Sequence, residues 1–283
     1  MEVCVMLNLT HWKRLLPLCL TALLLAGCGG GDPDSADPDL QQIKTNLGPL
    51  ATYLDLDGLS ETTLSNCYQT VGEEEKAEGV VLSVTETAGD GMILHTAFTF
   101  QPPKGSDVFL SPKDVSLVQG SSANDGYIGA SPTNLQSTEN GEGGYDCLAT
   151  FLYDREVLRA GEPLTLAVRG SGEESFSCAV TWTQEKLGTV TYVDLKDGQG
   201  TMVGTALLSP FALNISLWDT RGVSPQDLQD SIALWDVNGE ALPVQGAFVT
   251  ESDTFFSGQF FAPVEMEQVD AVHVGLFTTS LHS

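Results

Sequence analysis

After residue 78 most of the chain alternates apolar and polar residues, and that alternation predicts strands. Met92, Leu94, Phe98 and Phe100 alternate with His95, Ala97 and Thr99. Tyr145, Cys147, Ala149, Phe151 and Tyr153 share one face of a second run. Phe176, Cys178, Val180 and Trp182 share a face of a third, opposite Ser177, Thr181 and Thr183. A period of two sends successive side chains to opposite faces, so each segment is expected to bury one face and wet the other. On that reading His95 and His273 fall on wetter faces. The β-branched run Val80-Val81-Leu82-Ser83-Val84-Thr85 adds another strand. Gly89-Asp90-Gly91, Gly120-Ser121-Ser122 and Gly170-Ser171-Gly172 supply the intervening turns. Many short strands with few helices predict an all-β antiparallel sandwich or barrel.

The pattern restarts after Glu185-Lys186-Leu187-Gly188. Candidate strands cover 189–195, 201–208, 211–218, 232–236, 247–250, 254–261 and 271–277. Seven strands in roughly 100 residues is the size of an immunoglobulin-like sandwich. Asn238-Gly239 is a hairpin turn. Ser224 followed by Pro225 marks the start of one short helix, as cap and first residue. The expected architecture is therefore two tandem antiparallel β-sandwich (Ig-like) domains, 51–187 and 188–283. A single two-sheet domain running through residue 187 is the alternative. Residues 40–54 have some helical spacing broken by Gly48-Pro49, which predicts a short helix or an irregular lead-in.

The N-terminus follows a different pattern. Lys13 and Arg14 precede an eleven-residue apolar run, 15–25, that ends in Leu25-Ala26-Gly27-Cys28. A basic start, a short apolar core and small residues before a cut form a secretory signal, and the run is too short to span a bilayer. The Leu-Ala-Gly-Cys ending resembles the lipobox of bacterial lipoproteins. The resemblance implies cleavage after Gly27, a signal over 1–27 and lipidation of Cys28. Met6 is a second candidate start, because Glu2 is out of place in a basic leader. Gly29 stands where the family often carries an inner-membrane retention Asp, so the resemblance implies an outer-membrane lipoprotein facing the periplasm or the surface. Lipids added to Cys28 would hold the chain at the membrane, each buried methylene contributing about 0.8 kcal/mol. Residues 28–50 read as lipidated cysteine plus flexible acidic tether. The Gly-, Pro- and Asp-rich stretch there has a relaxed reach of about 25 Å. Beyond the tether, the layout resembles that of uncharacterised Ig-like β lipoproteins of proteobacteria.

Composition narrows the partners. The chain carries 12 basic and 38 acidic residues, a net charge of −26. Loss of Glu2, Lys13 and Arg14 with the signal leaves 10 against 37, a net of −27. At 18% charged residues the chain is poor in lysine more than rich in acid. That balance opposes nucleic acid and anionic headgroups, and favours solubility, cations or basic partners.

Few motifs carry chemistry. Neither a Gly-x-Ser-x-Gly elbow nor a His-Glu-x-x-His helix nor a phosphate-binding loop occurs. Cys67, Cys147 and Cys178 lack metal-site spacing, and an oxidising compartment permits one disulfide and one odd thiol. Cys147 and Cys178 both point inward and are the preferred pair, on condition that their strands lie in opposite sheets. Asp55, Asp57 and Glu61 form the best metal candidate, a weak match to a calcium loop without its closing ligand at position twelve. Trp218 and Trp235 are expected in the core. Phe255-Phe256 and Phe260-Phe261 should emerge on both faces of their strand, covered by the neighbouring domain or forming an interaction patch.

The expected function is a non-enzymatic binding, adhesion or envelope scaffold module with no cofactor, or Ca2+ at most. Its partners are the membrane through the lipid and a protein or glycan, with no nucleic acid. A carboxylate-dependent hydrolase of envelope or extracellular polymers is the alternative, requiring two acids about 5–10 Å apart in a cleft.

Overall fold

The computed structural model describes residues 47–281 except 107, 121–127, 171–174, 245 and 253. The expected signal, Cys28 and residues 28–46 of the expected tether lie outside the described residues, whereas residues 47–50 are described and Leu50 is buried. The described residues belong to one compact unit.

Pro49 opens a helix. Helix α1 (Pro49–Leu54) has proline in its first turn, where a missing N–H costs nothing. Asp55, left-handed at φ 55°, ends it, and a 3-10 turn over Leu56–Gly58 follows. Helix α2 (Glu61–Cys67) is capped by Ser60, whose Oγ accepts from the Thr63 N–H at 3.2 Å. Leu50, Leu54, Leu56, Leu59 and Leu64 are all buried, so this lead-in is part of the core.

Nine strands follow: β1 (Tyr68–Ala77), β2 (Val80–Gly89), β3 (Ile93–Gln101), β4 (Val115–Gln119), β5 (Ile128–Ala130), β6 (Asn134–Glu139), β7 (Tyr145–Leu152), β8 (Glu162–Gly170) and β9 (Phe176–Gln184). They form two antiparallel sheets, ordered β1-β2-β3-β7-β6 and β5-β4-β8-β9. Leu82, Val84, Phe98, Phe100 and Phe151 from one sheet meet Leu164, Leu166, Val180 and Trp182 from the other. The alternating residues of the sequence are these, and burying each large side chain contributes about 1.5–3 kcal/mol. Gln69 stitches the open edge: its Nε2 donates to the Thr183 carbonyl at 2.9 Å and its Oε1 accepts from the Glu185 N–H at 2.8 Å.

The second half contributes β10 (Thr191–Lys196), β11 (Met202–Leu208), β12 (Ala212–Leu217), helix α3 (Pro225–Asp230), β13 (Ala233–Trp235), β14 (Gly246–Ser252), β15 (Phe255–Phe260), β16 (Ala271–Val274) and β17 (Phe277–Ser280). All eight strands belong to one sheet, in the order β13-β16-β17-β10-β11-β12-β15-β14. An Ig-like layout would divide these strands between two facing sheets; here one continuous sheet curls instead. Helix α3 shows the curling, because it touches both ends of the strand order. Gln229 Nε2 donates to the Phe248 carbonyl on β14, and Ser231, just past the helix, accepts from Gly275 between β16 and β17. Leu234, Val272, Phe256 and Phe260 consequently share one core. The expected strand at 271–277 is a hairpin, since Gly275 turns the chain at φ 61°. The Ser224 cap is as expected, accepting from the Asp227 N–H at 3.2 Å.

A third apolar cluster joins the parts. Leu50, Leu54, Met92, Ile93 and Ala97 pack with Phe211 and Ala212 of the curled sheet. Strand β3 is therefore covered twice, by the sandwich core on one face and by this cluster on the other.

Candidate functional site

The double covering of β3 corrects the reading of His95, which is fully buried rather than on a wetter face. Its Nδ1 lies 3.0 Å from Thr150 Oγ1, its ring centroid lies 5.6 Å from that of Phe211, and its Nε2 has no partner among the described residues. Burial holds the imidazole neutral down to about 3. Asp90 is equally buried, at the turn between β2 and β3. Its Oδ1 accepts from the N–H groups of Met92 at 2.6 Å and Ile93 at 3.0 Å. Burial pushes its carboxyl up to about 6, against the lowering effect of Ser209 and those N–H groups. Burial also raises Glu86, whose Oε2 accepts from the Leu50 N–H at 3.1 Å. These groups carry displaced titration, the usual mark of a catalytic site. Asp90 holds the β2–β3 turn, Glu86 the first turn of α1, and His95 sits against Thr150 and Phe211.

The cysteines meet the stated condition and still do not pair. Cys147 on β7 and Cys178 on β9 lie in opposite sheets, yet both are free, as is Cys67. Cys178 Sγ sits 3.6 Å from the Glu75 carbonyl on β1, whereas Cys147 Sγ sits 3.5 Å from Ser137 Oγ on β6. Strand β7 is three places from β1, about 14 Å at ordinary strand spacing, and a disulfide needs Cα atoms within about 7 Å. Opposite sheets were necessary for the bridge but not sufficient. Burial raises the Cys67 thiol to about 12 and Cys147 to about 11, and it raises Cys178 as well. Native protein is thus expected to resist thiol reagents, with all three sites alkylated only after unfolding. A mass two hydrogens lighter for a linked Cys147–Cys178 peptide pair would overturn this.

Asp55, Asp57 and Glu61 do not converge. They occupy a helix C-cap, a 3-10 turn and the first turn of α2, and no group of three metal-ligating side chains occurs among the described residues. Residue 55 reverses the chain, which splays the carboxylates instead of wrapping them round an ion. The tryptophans also differ from expectation. Trp218 is 55% exposed at the end of β12, and Trp235 is half-buried, stacked on His273 with centroids 4.8 Å apart. Of the paired phenylalanines, Phe256 and Phe260 are buried while Phe261 is 55% exposed.

Among the described residues, two clefts of several hundred Å³ offer room for a ligand. One, of about 400 Å³, lies between the sandwich and β15, lined by Thr133, Leu152, Tyr153, Asp154, Phe255 and Ser257. Among the described residues Asp154 is the one carboxylate that lines it, where an acid-pair hydrolase needs two. The other, of about 340 Å³, opens at the end of the four-stranded sheet. Phe109, Lys113, Asp114 and Arg169 line it, together with Leu110 and Gly170. A 3-10 turn over Pro112–Asp114 and the pairing of Val115 with Val168 bring these residues together. Asp114 is committed to that turn, accepting from the Ser111 N–H at 2.9 Å and from the Ser111 hydroxyl. Lys113 and Arg169 make no ion pair among the described residues.

Phe109 is 67% exposed but anchored by a line of rings. Tyr145 lies against it at 5.3 Å, Phe100 stacks on Tyr145 at 6.4 Å, and Phe176 meets Phe100 at 5.7 Å. Sequence reading missed this cleft. Its one local signal is a lone phenylalanine in a polar, proline-flanked stretch with a lysine nearby.

No family model matches the chain, and no curated protein does. A solved structure described as the crystal structure of the conserved domain protein from Bacillus anthracis is similar at 13% identity. The match covers 80% of this chain and 83% of that one, with a TM-score of 0.46, a likeness that does not bear on function.

Proposed function

We propose that this protein is an exported, lipid-anchored binding module of the cell envelope, held through Cys28 and non-enzymatic. Its ligand site is the cleft between Phe109 and Arg169. That cleft carries the reading: an anchored, exposed ring beside two cations that lack a carboxylate partner among the described residues, in a chain of net charge −26. Small-molecule sites combine an apolar wall with a few converging polar groups in this way, and 340 Å³ is at the small end of their range. Sequestration of Asp90, His95 and Glu86 supports a role without acid–base chemistry, because these groups are buried away from both clefts. Gly29 after the lipidated cysteine favours the outer membrane.

Two measurements test the proposal. Cys28→Ala is expected to abolish incorporation of labelled palmitate and to move the protein from the membrane to the soluble fraction. An unchanged membrane fraction would sink the anchor. Envelope extract passed over immobilised wild-type protein should leave bound material, read by mass spectrometry, that a Phe109→Ser variant fails to hold. Equal retention by both would remove the cleft as the site. Release of shortened polymer in excess of protein would establish a hydrolase instead.

A further inference from the structure

We infer that the cleft between Phe109 and Arg169 takes a small molecule carrying a single carboxylate on a flat ring. This rests on the cleft being the binding site proposed above and adds the chemistry of its ligand. Among the described residues, Lys113, Arg169 and Asp114 give the lining a local charge of +1, which one negative charge neutralises. The Asp114 Oδ2 is held by the Ser111 N–H and hydroxyl within the 3-10 turn, and its charge is counted in that sum. Arg169 presents a planar fork that matches a carboxylate bidentately, and Lys113 adds a movable point charge.

Ring recognition falls to Phe109. Its side chain is mostly in solvent, yet Tyr145 holds it at one side, so the open face is rigid and apolar. An aromatic ring meets such a face offset or edge-on, with centroids 4.5–7 Å apart. The volume of 340 Å³ admits a one-ring molecule. Net charge argues against a longer anion. The field of a chain at −26 repels a polyanion over its length, but one carboxylate among local cations feels mainly its neighbours, since screening sets in within about 8 Å at physiological salt.

The test is titration of the full mature chain with benzoate and, separately, with neutral benzamide, followed by backbone amide shifts. Benzoate is expected to shift the amides of Phe109, Leu110 and Gly170 and to bind at least tenfold more tightly than benzamide. Arg169→Gln and Lys113→Gln alter exposed side chains and should leave the fold intact. Arg169→Gln should weaken benzoate tenfold or more and leave benzamide unchanged. Equal binding of benzoate and benzamide, or indifference of benzoate to Arg169→Gln, would overturn the carboxylate inference while leaving the cleft a binding site. Shifts confined to other regions with both probes would overturn the inference and the cleft together.

Discussion

Replacing His95 with glutamine is expected to make the protein gain stability on acidification, relative to wild type, by about 3 kcal/mol between pH 7 and pH 4. The imidazole stays neutral in the folded state down to about 3, whereas an unfolded chain protonates it near 6.5. Its contribution to stability is therefore complete above 6.5 and is lost as pH falls towards 3. From 6.5 to 4 that loss is about 3 kcal/mol at 1.36 kcal/mol per pH unit. Asp90 has the opposite sign. Its folded carboxyl titrates at about 6 against an ordinary 3.8, so its contribution is complete below 3.8 and lost as pH rises through 6. Asp90→Asn should accordingly lose about 3 kcal/mol relative to wild type over the same acidification. Glu86 is raised by burial and has the sign of Asp90. The two slopes nearly cancel in the wild type between pH 4 and 6, and each single variant exposes the other group. Urea midpoints at pH 7 and pH 4 provide the measurement. Parallel pH profiles for the two variants would show that neither group is buried in the way described.

Gly89→Ala is expected to cost about 3 kcal/mol, at the upper end for a single added methyl. A Cβ at Gly89 would sit 2.2 Å from the Ile93 carbonyl oxygen and 2.9 Å from Leu94 Cα. Both atoms are backbone, so no side chain can swing aside. The Gly89 carbonyl also accepts from the Gly188 N–H at 2.9 Å, and Asp90 folds the next turn. A shift there would disturb the β2–β3 hairpin and the start of the curled sheet together. Gly58→Ala is the control, because nothing lies within 4 Å of its Cβ position. It should change stability by less than about 0.5 kcal/mol. Similar urea midpoints for the two variants would refute the clash.

Much of this fold is legible as alternation. The inward residues of β2, β3, β7 and β9 are those that the period of two selects, and the hydrophobic effect fixes them. Strand β1 is different. Its sequence, YQTVGEEEKA, carries three consecutive glutamates and lacks apolar alternation, yet it pairs with β2 apart from a bulge between Thr70 and Glu73. It is an edge strand, and charge on an edge discourages pairing with a second chain, so the pattern of a core strand is absent for a physical reason. Strand β6, NLQSTE, is hidden in the same way at the other edge of that sheet.

By itself the sequence determined the all-β class, the positions of the interior strands and the capped helix after Ser224. Those are local properties, carried by neighbouring residues. Tertiary structure alone decided that both faces of β3 are covered and that the second half is one curled sheet. It also decided that Cys147 and Cys178 stand strands apart, and that Phe109, Lys113 and Arg169 share a cleft. A period of two says that a strand has two faces, but what lies against each face depends on residues a hundred or more positions away, such as Phe211 against His95.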